Sequence, residues 1–514
     1  MNSSQKNLPD HWSFVPLQEV CTFNPKHSKD LDDNLDLSFV PMSAVSAEVG
    51  EITAPEIGKL GKVRKGYCHI ADGDVIFAKI TPCMENGKCA IASNLINGIG
   101  CGSTEFYVLR SGGAILPQYL YRFLRQQSYR DFASQNMTGV VGQRRVPRQF
   151  MQESCIPLPP LNEQQRIVAK IEELTDRTRK AREALEDVPQ LIEQFRRSVL
   201  AAAFRGDLTA DWREQNPDVE PAEKLLERIR VERRQRWEAA ELEKMREKEK
   251  EPNNDKWKEK YKDIPAVDDC DLSPLPETWT YGRVCELGRV QLGRQRSPKN
   301  HTGEFMRPYL RSANVFEARI DTSDVMEMNF DPKDFEKFQL KDKDILLNEG
   351  QSLELVGRPA MYRDEVPGSC FQNTLVRFQT EDGVLPEYAL LVFRLYMHNG
   401  KFQSIAQWTT NIAHLGASRF ADLDFPLPPL AEQKEIVLRA SKALDSIEQV
   451  RDTEKAQRKQ LDRLDRAILA KAFQGQLVPQ DPTDEPASQL LQRIRSEREK
   501  LKPKEKPMKK QKHP

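Results

Sequence analysis

Residues able to do chemistry are scattered along this chain, and their spacing assembles no catalytic site. The seven histidines, at positions 11, 27, 69, 301, 398, 414 and 513, form no HxxxH pair. Nine cysteines occur without a CxxC pair, and Cys83 and Cys89 have no neighbouring co-ligand. Neither a zinc ribbon nor a disulfide framework is implied, and a reducing cytoplasm is expected. No GxxxxGK[ST] loop is present to cradle phosphates, and Gly98-Ile-Gly-Cys-Gly102 lacks the helix and distant acid of a dinucleotide site, so it reads as a turn. Pro217-Asp218 with Glu223 and Glu227 lies in a charged helical stretch, where a solvated face is expected rather than a nuclease centre. The NPPY and DPPY tetrapeptides of amino-group methylation are also missing. No catalytic residue, metal ligand or bound cofactor is assigned.

What remains is a chemistry of recognition. Two turns in the first part of the chain carry polar and basic side chains: 78–88, with Lys79, Thr81, Asn86 and Lys88, and 138–145, with Gln143, Arg144 and Arg145. Two turns in the second part correspond to them: 348–358, with Asn348, Gln351, Ser352 and Arg358, and 409–414, with Thr409, Thr410, Asn411 and His414. Arg, Lys, Asn and Gln can make bidentate contacts to guanine and adenine edges, while Ser and Thr position phosphates. Taken alone, each turn could equally be an ordinary exposed loop. Equivalent turns with different residues are what one scaffold with two recognition tasks requires.

The elements that must hold these turns are written twice. Pro157-Leu-Pro-Pro-Leu-Asn-Glu-Gln164 returns as Pro426-Leu-Pro-Pro-Leu-Ala-Glu-Gln433, an offset of 426 − 157 = 269. Ala203-Phe-Arg-Gly-Asp-Leu208 returns as Ala472-Phe-Gln-Gly-Gln-Leu477 at the same offset. Leu225-Leu-Glu-Arg-Ile-Arg230 returns at 490–495, and Leu8-Pro-Asp-His-Trp12 matches Leu275-Pro-Glu-Thr-Trp279. Such spacing means tandem duplication of one domain-plus-helix unit, too long for a solenoid repeat. Short apolar runs such as Asp74–Ala78 and Asp344–Leu347 read as strands between turns, and 116–124 and 385–393 read as helices. A compact α+β domain is expected in each copy.

After each Pro-rich run the pattern changes to heptads. Ile167, Ile171, Leu174, Thr178, Ala181, Leu185, Val188, Ile192, Phe195 and Val199 alternate gaps of four and three, apolar except at Thr178. The second copy gives Ile436, Ala440, Ala443, Ile447, Val450, Glu454, Gln457, Leu461, Leu464 and Ile468. A stripe of this period keeps one seam on a partner helix, the signature of a coiled coil. Helices over 162–203 and 431–472 would each span about 63 Å. Pro189 should loosen or kink the first, because it removes a backbone donor. With antiparallel seams centred on each other, Thr178 and Ala181 would face Gln457 and Glu454.

The duplicated layout, the PLPPLxEQ entry to each long helix and the AFxGxL exit closely resemble the specificity subunits of bacterial type I restriction-modification systems. So do Leu208-Thr-Ala-Asp-Trp-Arg213 with Asn216-Pro217, and Arg307-Pro-Tyr-Leu-Arg-Ser-Ala-Asn314. The resemblance covers essentially the whole chain. It implies two tandem α/β target recognition domains, each followed by a long helix, with the helices paired as an antiparallel coiled coil. Expected boundaries are 1–158 and 272–427 for the recognition domains and 159–206 and 428–475 for the helices. A charged helical connector at 207–271 and a C-terminal helix with basic tail at 476–514 complete the chain.

In that family each domain reads one half of an interrupted duplex DNA site, and the helices act as a ruler. The subunit is not itself catalytic. It docks two modification subunits, which use S-adenosylmethionine to methylate adenine, and restriction subunits, which use ATP and Mg²⁺. The resemblance assigns Glu163, Gln164, Phe204, Glu432, Gln433 and Phe473 to packing and subunit-docking surfaces. A methylation-only complex and a purely structural coiled-coil adaptor are the competing readings. The connector from Asp211 is unusually long and charged, and 221–251 is a candidate additional docking surface.

Composition sharpens this expectation. The 514 residues carry 78 Lys+Arg against 78 Asp+Glu, a net charge of zero, where autonomous DNA binders usually carry a basic excess. Phosphate neutralisation is then expected to come largely from the modification subunits. Residues 493–514 hold ten Lys/Arg and three Glu, 10 − 3 = +7, a basic tail available to DNA or a partner. No run approaches the ~20 apolar residues of a membrane span.

Overall fold

The computed structural model describes residues 8–501 apart from 141, 249–251, 253, 271 and 410. Thr410 and most of the basic tail, 502–514, lie outside the described residues. The chain forms two compact units. The first is built from 1–186 and 455–514, the second from 187–454.

In the first unit, a four-stranded sheet runs in the order Cys21–Phe23, Phe106–Ser111, Val75–Ala78, Cys89–Ile91, all antiparallel. A second sheet orders Glu56–Lys59, Asp36–Val40, Ile99–Gly102 and Cys68–Ala71, with one parallel pairing in its centre. Every residue of Val75–Ala78 is buried, as an unbroken apolar strand covered on both faces must be. Helix Pro117–Leu124 starts with proline at its first position, where the missing N–H costs nothing. It buries Tyr119 and Phe123 against Phe473, with ring centroids 4.9 and 5.5 Å apart.

The second unit repeats the plan. Gly288–Leu292, Leu375–Thr380, Ile345–Asn348 and Pro359–Met361 form the equivalent antiparallel sheet. Each unit also closes its chain ends with the same two-stranded pair, Ser13–Pro16 with Cys155–Leu158 and Thr280–Arg283 with Asp424–Leu427. The second unit adds a three-stranded sheet in the order Gly350–Gln351, Ile412–His414, Gln407–Thr409.

The first long helix is interrupted. Leu161–Glu186 ends at Asp187, and Val188–Arg205 begins again with Pro189 in its first turn, as the lost donor requires. Leu430–Ala472 runs for 43 residues without a break. Each AFxG exit ends in a left-handed glycine, Gly206 at φ 78° and Gly475 at φ 71°. A Cβ on Gly206 would lie 2.8 Å from Pro276, and one on Gly475 would lie 2.4 Å from Pro9. Proline and tryptophan of the LP-x-x-W motif press on both turns, which is why the two motifs recur together.

Within the first unit, Thr178 Oγ1 donates to Asp465 at 2.7 Å, and Arg182 reaches Asp462 and Asp465 at 2.7 Å each. Within the second, Arg196 pairs with Glu448 at 2.6 Å and Arg439 donates to the Leu208 carbonyl at 2.8 Å. Partner numbers fall along one segment as they rise along the other. The expected pairing of Thr178 with Gln457 is corrected: the partner lies eight positions further on, and Gln457 is exposed. Centring the seams ignores their ends. Ile468, Ala472 and Phe473 share the first core with Ile167 and Ile171, and that docking fixes the register. The seam is only partly buried, since Phe195 is 54% exposed and Val450 51%.

The segment after the first exit is no free connector at its start. In Ala222–Glu247, residues Ala222, Leu225, Leu226 and Ile229 belong to the second core, and Trp237 stacks on Trp257 at 6.0 Å. Ala487–Leu501 plays the same part in the first unit through Ala487 and Leu491. Among the described residues no helix is long and apolar enough to cross a membrane.

Candidate nucleic-acid interface

The two polar turns of each unit meet at one end of the four-stranded antiparallel sheet, where an inner strand runs out. In the first unit, strand Val75–Ala78 continues into Lys79 and Ile80, and Ile80 bridges Arg145. The Thr81 N–H donates to the Arg144 carbonyl at 3.0 Å, and the Val146 N–H donates to that of Lys79 at 2.8 Å. Arg145 also bridges Thr138, closing the 138–145 loop on itself. These bonds put Lys79, Thr81, Gln143, Arg144 and Arg145 side by side although 64 residues separate Lys79 from Gln143 in sequence.

Charge at this end is partly consumed within the domain. Arg145 grips Glu105 at 2.9 Å, and that hydrogen bond holds the Glu105 carboxyl below its ordinary value. Lys79 Nζ lies 5.3 Å from the Tyr107 ring centroid. Thr81 donates to Glu85 at 2.8 Å, and Lys88 turns inward to the Met42 carbonyl at 2.8 Å. Gln143 and Asn86 are exposed.

The second unit builds the corresponding end. Strand Ile345–Asn348 continues into Gly350–Gln351, which pairs with Ile412–His414 in the register Gly350 to His414 and Gln351 to Ala413. His414 Nδ1 sits 2.9 Å from Glu349. Ser352, Thr409 and Asn411 are exposed, and Gln351 is half-buried.

Asn348 is corrected as a base-reading candidate. It is fully buried, its amide directed at the Val315 carbonyl, because it closes a strand whose four residues are all covered. Arg358 is drawn back over the Phe316 ring at 4.7 Å, and burial lowers its pKa from the usual guanidinium value. Gln407 and Trp408 were missed by the sequence reading. Their signal was a polar-aromatic pair beside Thr409, indistinguishable from a loop until Gln407–Thr409 paired as a strand.

Of the six motif residues expected at packing and subunit-docking surfaces, five are buried within their own unit and Phe204 is partly buried. Glu163, Gln164, Glu432 and Gln433 are essentially inaccessible, and each is satisfied by its own unit. Trp12 Nε1 donates to Glu163 at 2.9 Å, and Trp279 Nε1 to Glu432 at 2.8 Å. Gln164 and Gln433 each accept a helix-initiating N–H, from Leu116 and Leu385, at 2.8 Å. Phe473 is buried, and Phe204 packs on Tyr396 at 5.9 Å. The EQ pair therefore bolts each long helix to its own domain.

Asp268, Asp269 and Cys270 bring three potential metal ligands within 4.8 Å of one another, but all are exposed. No argument for an ion follows from them.

A domain that gathers two polar turns at one end of its sheet, repeated with other side chains on the same frame, defines a two-domain recognition protein. The family model for the type I restriction modification DNA specificity domain matches residues 9–188 and 276–463, and the chain belongs to that family. It is 27% identical over 487 residues to the type I restriction enzyme EcoAI specificity subunit of Escherichia coli, covering 85% of this chain and 78% of that one. It is 23% identical to the EcoKI specificity subunit of Escherichia coli strain K12, covering 96% and 97%. The fold is similar to that of the HsdS subunit from Thermoanaerobacter tengcongensis, with TM-score 0.59, 21% identity, and 91% and 98% of the two chains covered. A chain from a study of complex assembly in a type I R-M system gives TM-score 0.61 at 20% identity, covering 91% and 99%.

Proposed function

We propose that this specificity subunit reads a bipartite duplex DNA target, one half-site per recognition domain, without catalysing a reaction itself. The observation that carries this reading is the pair of equivalent sheet ends. Lys79, Thr81, Gln143, Arg144 and Arg145 hold one, and Gln351, Ser352, Thr409, Asn411 and His414 hold the other. Exposed amide and guanidinium groups on a rigid base suit hydrogen bonding to base edges.

Two modification subunits would supply S-adenosylmethionine, adenine methylation and most of the phosphate-neutralising charge that a chain of zero net charge lacks. Restriction subunits would bring ATP and Mg²⁺. The helical stretches that exchange contacts in each unit would pair as an antiparallel coiled coil and act as the ruler. A 43-residue helix is about 65 Å long, close to two turns of B-DNA at roughly 34 Å each. Buried EQ pairs bolt domain to helix, so docking surfaces would be the exposed helix faces, Phe195 and Val450 among them.

Single-molecule methylation mapping with the assembled complex tests this. A defined motif of two half-sites around an unspecific gap is expected. Adding one heptad to both helical stretches should change the gap and leave both half-sites alone. Altered half-sites would reject the ruler, and methylation by the isolated chain would reject the non-catalytic role.

A further inference from the structure

The hairpin Gln407–His414 of the second unit carries a side chain that the fold does not use. Trp408 is 58% exposed, although other aromatics of this unit, Phe393, Phe402, Phe420 and Phe425 among them, are fully buried together. Burying an aromatic side chain stabilises a fold, and Trp408 forgoes most of this. It is the one exposed tryptophan among the described residues.

The paired strands are anchored at their root and exposed at Thr409, Asn411 and Ile412. At the root, Ala413 is buried, the Leu415 N–H donates to the Glu349 carbonyl at 2.8 Å, and Arg419 donates to the carbonyls of His414 at 2.8 Å and Ile405 at 2.7 Å. Towards the tip, all three residues of Gln407–Thr409 are exposed, and so is Ile412. Side chains alternate across a strand, so Gln407 and Thr409 project to one face and Trp408 to the other. In the register of the sheet, Trp408 opposes Ala413, which opposes Gln351, placing Trp408 and Gln351 on the same face. The outer strand of this sheet is exposed on both faces, and β elements of this kind are admitted by the major groove.

We infer that Trp408 is a specificity-determining residue of the second recognition domain, its indole packing on the C5-methyl of a thymine in the half-site while neighbouring side chains hydrogen-bond to base edges. This rests on the DNA-reading function proposed above. The chemistry selects the occupant. Gln407, Thr409, Asn411, Gln351 and Ser352 are uncharged hydrogen-bonding groups, and the nearby acid, Glu349, is held by His414. A hydrogen-bonding side chain, Gln351, on the same face as one large apolar surface matches a base pair carrying a methyl group. If adenine is the methylated base, a thymine is present in each half-site. The first unit offers no aromatic at its equivalent loop; Val140, 70% exposed, stands there between Gly139 and Gly142.

The test uses the assembled methylating complex and duplexes carrying the mapped site, with each second-half-site thymine replaced singly by uracil, which lacks only the methyl. The wild-type complex should lose about tenfold in binding or methylation at one position, and W408A should be indifferent there while starting about tenfold weaker. W408F should keep part of the discrimination, and it provides the test if W408A fails to fold. Preference at the first half-site should not move. Equal uracil sensitivity in wild type, W408A and W408F would overturn the inference, as would a W408A defect confined to subunit assembly. A wild-type complex with no defined bipartite motif would instead reject the function on which the inference rests.

Discussion

The two units solve the same joint differently. Each long helix enters its domain with a buried glutamate that accepts the indole N–H of a tryptophan from the domain's first turn. In the first unit, the second oxygen of Glu163 takes, among the described residues, a neutral donor, Gln480 at 2.6 Å, and burial raises the Glu163 pKa above the ordinary carboxylate value. Nearby Arg166 is engaged by Asp484 at 2.7 Å. In the second unit, Glu432 takes Thr209 at 2.6 Å and the guanidinium of Arg213, so a buried charge meets a countercharge. Duplication kept the geometry of the clasp and left its charge balance free to drift. A buried carboxylate tolerates neutral donors at the expense of a raised pKa; once an arginine is committed to it, removing either partner strands the other.

The largest expected effect tests whether the units are independent readers. Replacing 1–158 by another recognition domain should change one half-site completely and leave the other as it was, read by methylation mapping. Movement of both would show that the units are coupled.

The next effect separates the two clasps. Glu432→Ala leaves Arg213, Trp279 and Thr209 without their acceptor and should destabilise the second unit by about 3–5 kcal/mol. Glu163→Ala leaves two neutral donors and should cost the first unit about 1–3 kcal/mol. Denaturant unfolding, with hydrogen exchange followed in each unit, measures both, and equal losses would erase the distinction.

Acidification should act in opposite directions. Burial pushes the Glu317 carboxyl of the second unit up, but His398 and Arg394 together outweigh it and hold it down to about 2. Its contribution is therefore complete above the ordinary carboxylate value and lost as pH falls from ~4.5 towards 2, on the order of 3 kcal/mol. Glu163 has the other sign. Its raised value means the folded state holds the proton more tightly, so its contribution is greatest at low pH and falls as pH rises through that value. Unit-resolved exchange between pH 3 and 6, comparing wild type with Glu317→Gln and Glu163→Gln, checks both slopes. The smallest effect is Glu163→Gln itself, under about 1 kcal/mol near neutral pH, because the amide oxygen can still accept from Trp12; a loss as large as that of Glu163→Ala would show that the carboxylate charge matters.

The duplication, the Pro-rich entries and the periodic helices were legible because each is a local pattern with a fixed offset or period. The break before Pro189 was legible for the same reason, since proline removes its donor wherever it stands. The register of the helices was not. Equal seams suggested Thr178 against Gln457, but Phe473, beyond the seam, docks against Tyr119 and Phe123 and sets Thr178 against Asp465. Of the candidate interface, the pairing of turns 78–88 and 138–145 could not be read, because the bridge from Ile80 to Arg145 is a long-range contact. Asn348 looked like a reader by type and proved to be a buried strand end. Trp408 looked like a loop residue and stands on a paired, exposed strand.

The sequence by itself determined that there are two copies of one recognition unit, because offsets and heptads survive in one dimension. It also set where each helix ends, since Gly206 and Gly475 alone can take the left-handed turn under a proline and a tryptophan. Only the tertiary structure decided which polar side chains are available to a ligand. An arginine, asparagine or glutamate is the same letter whether it points to solvent, to a carbonyl or to a buried indole, and that direction is settled by neighbours brought in from elsewhere in the chain. The EQ pairs show this most plainly: charged and polar by composition, they are spent inside the domain, holding the helix that would carry the reader.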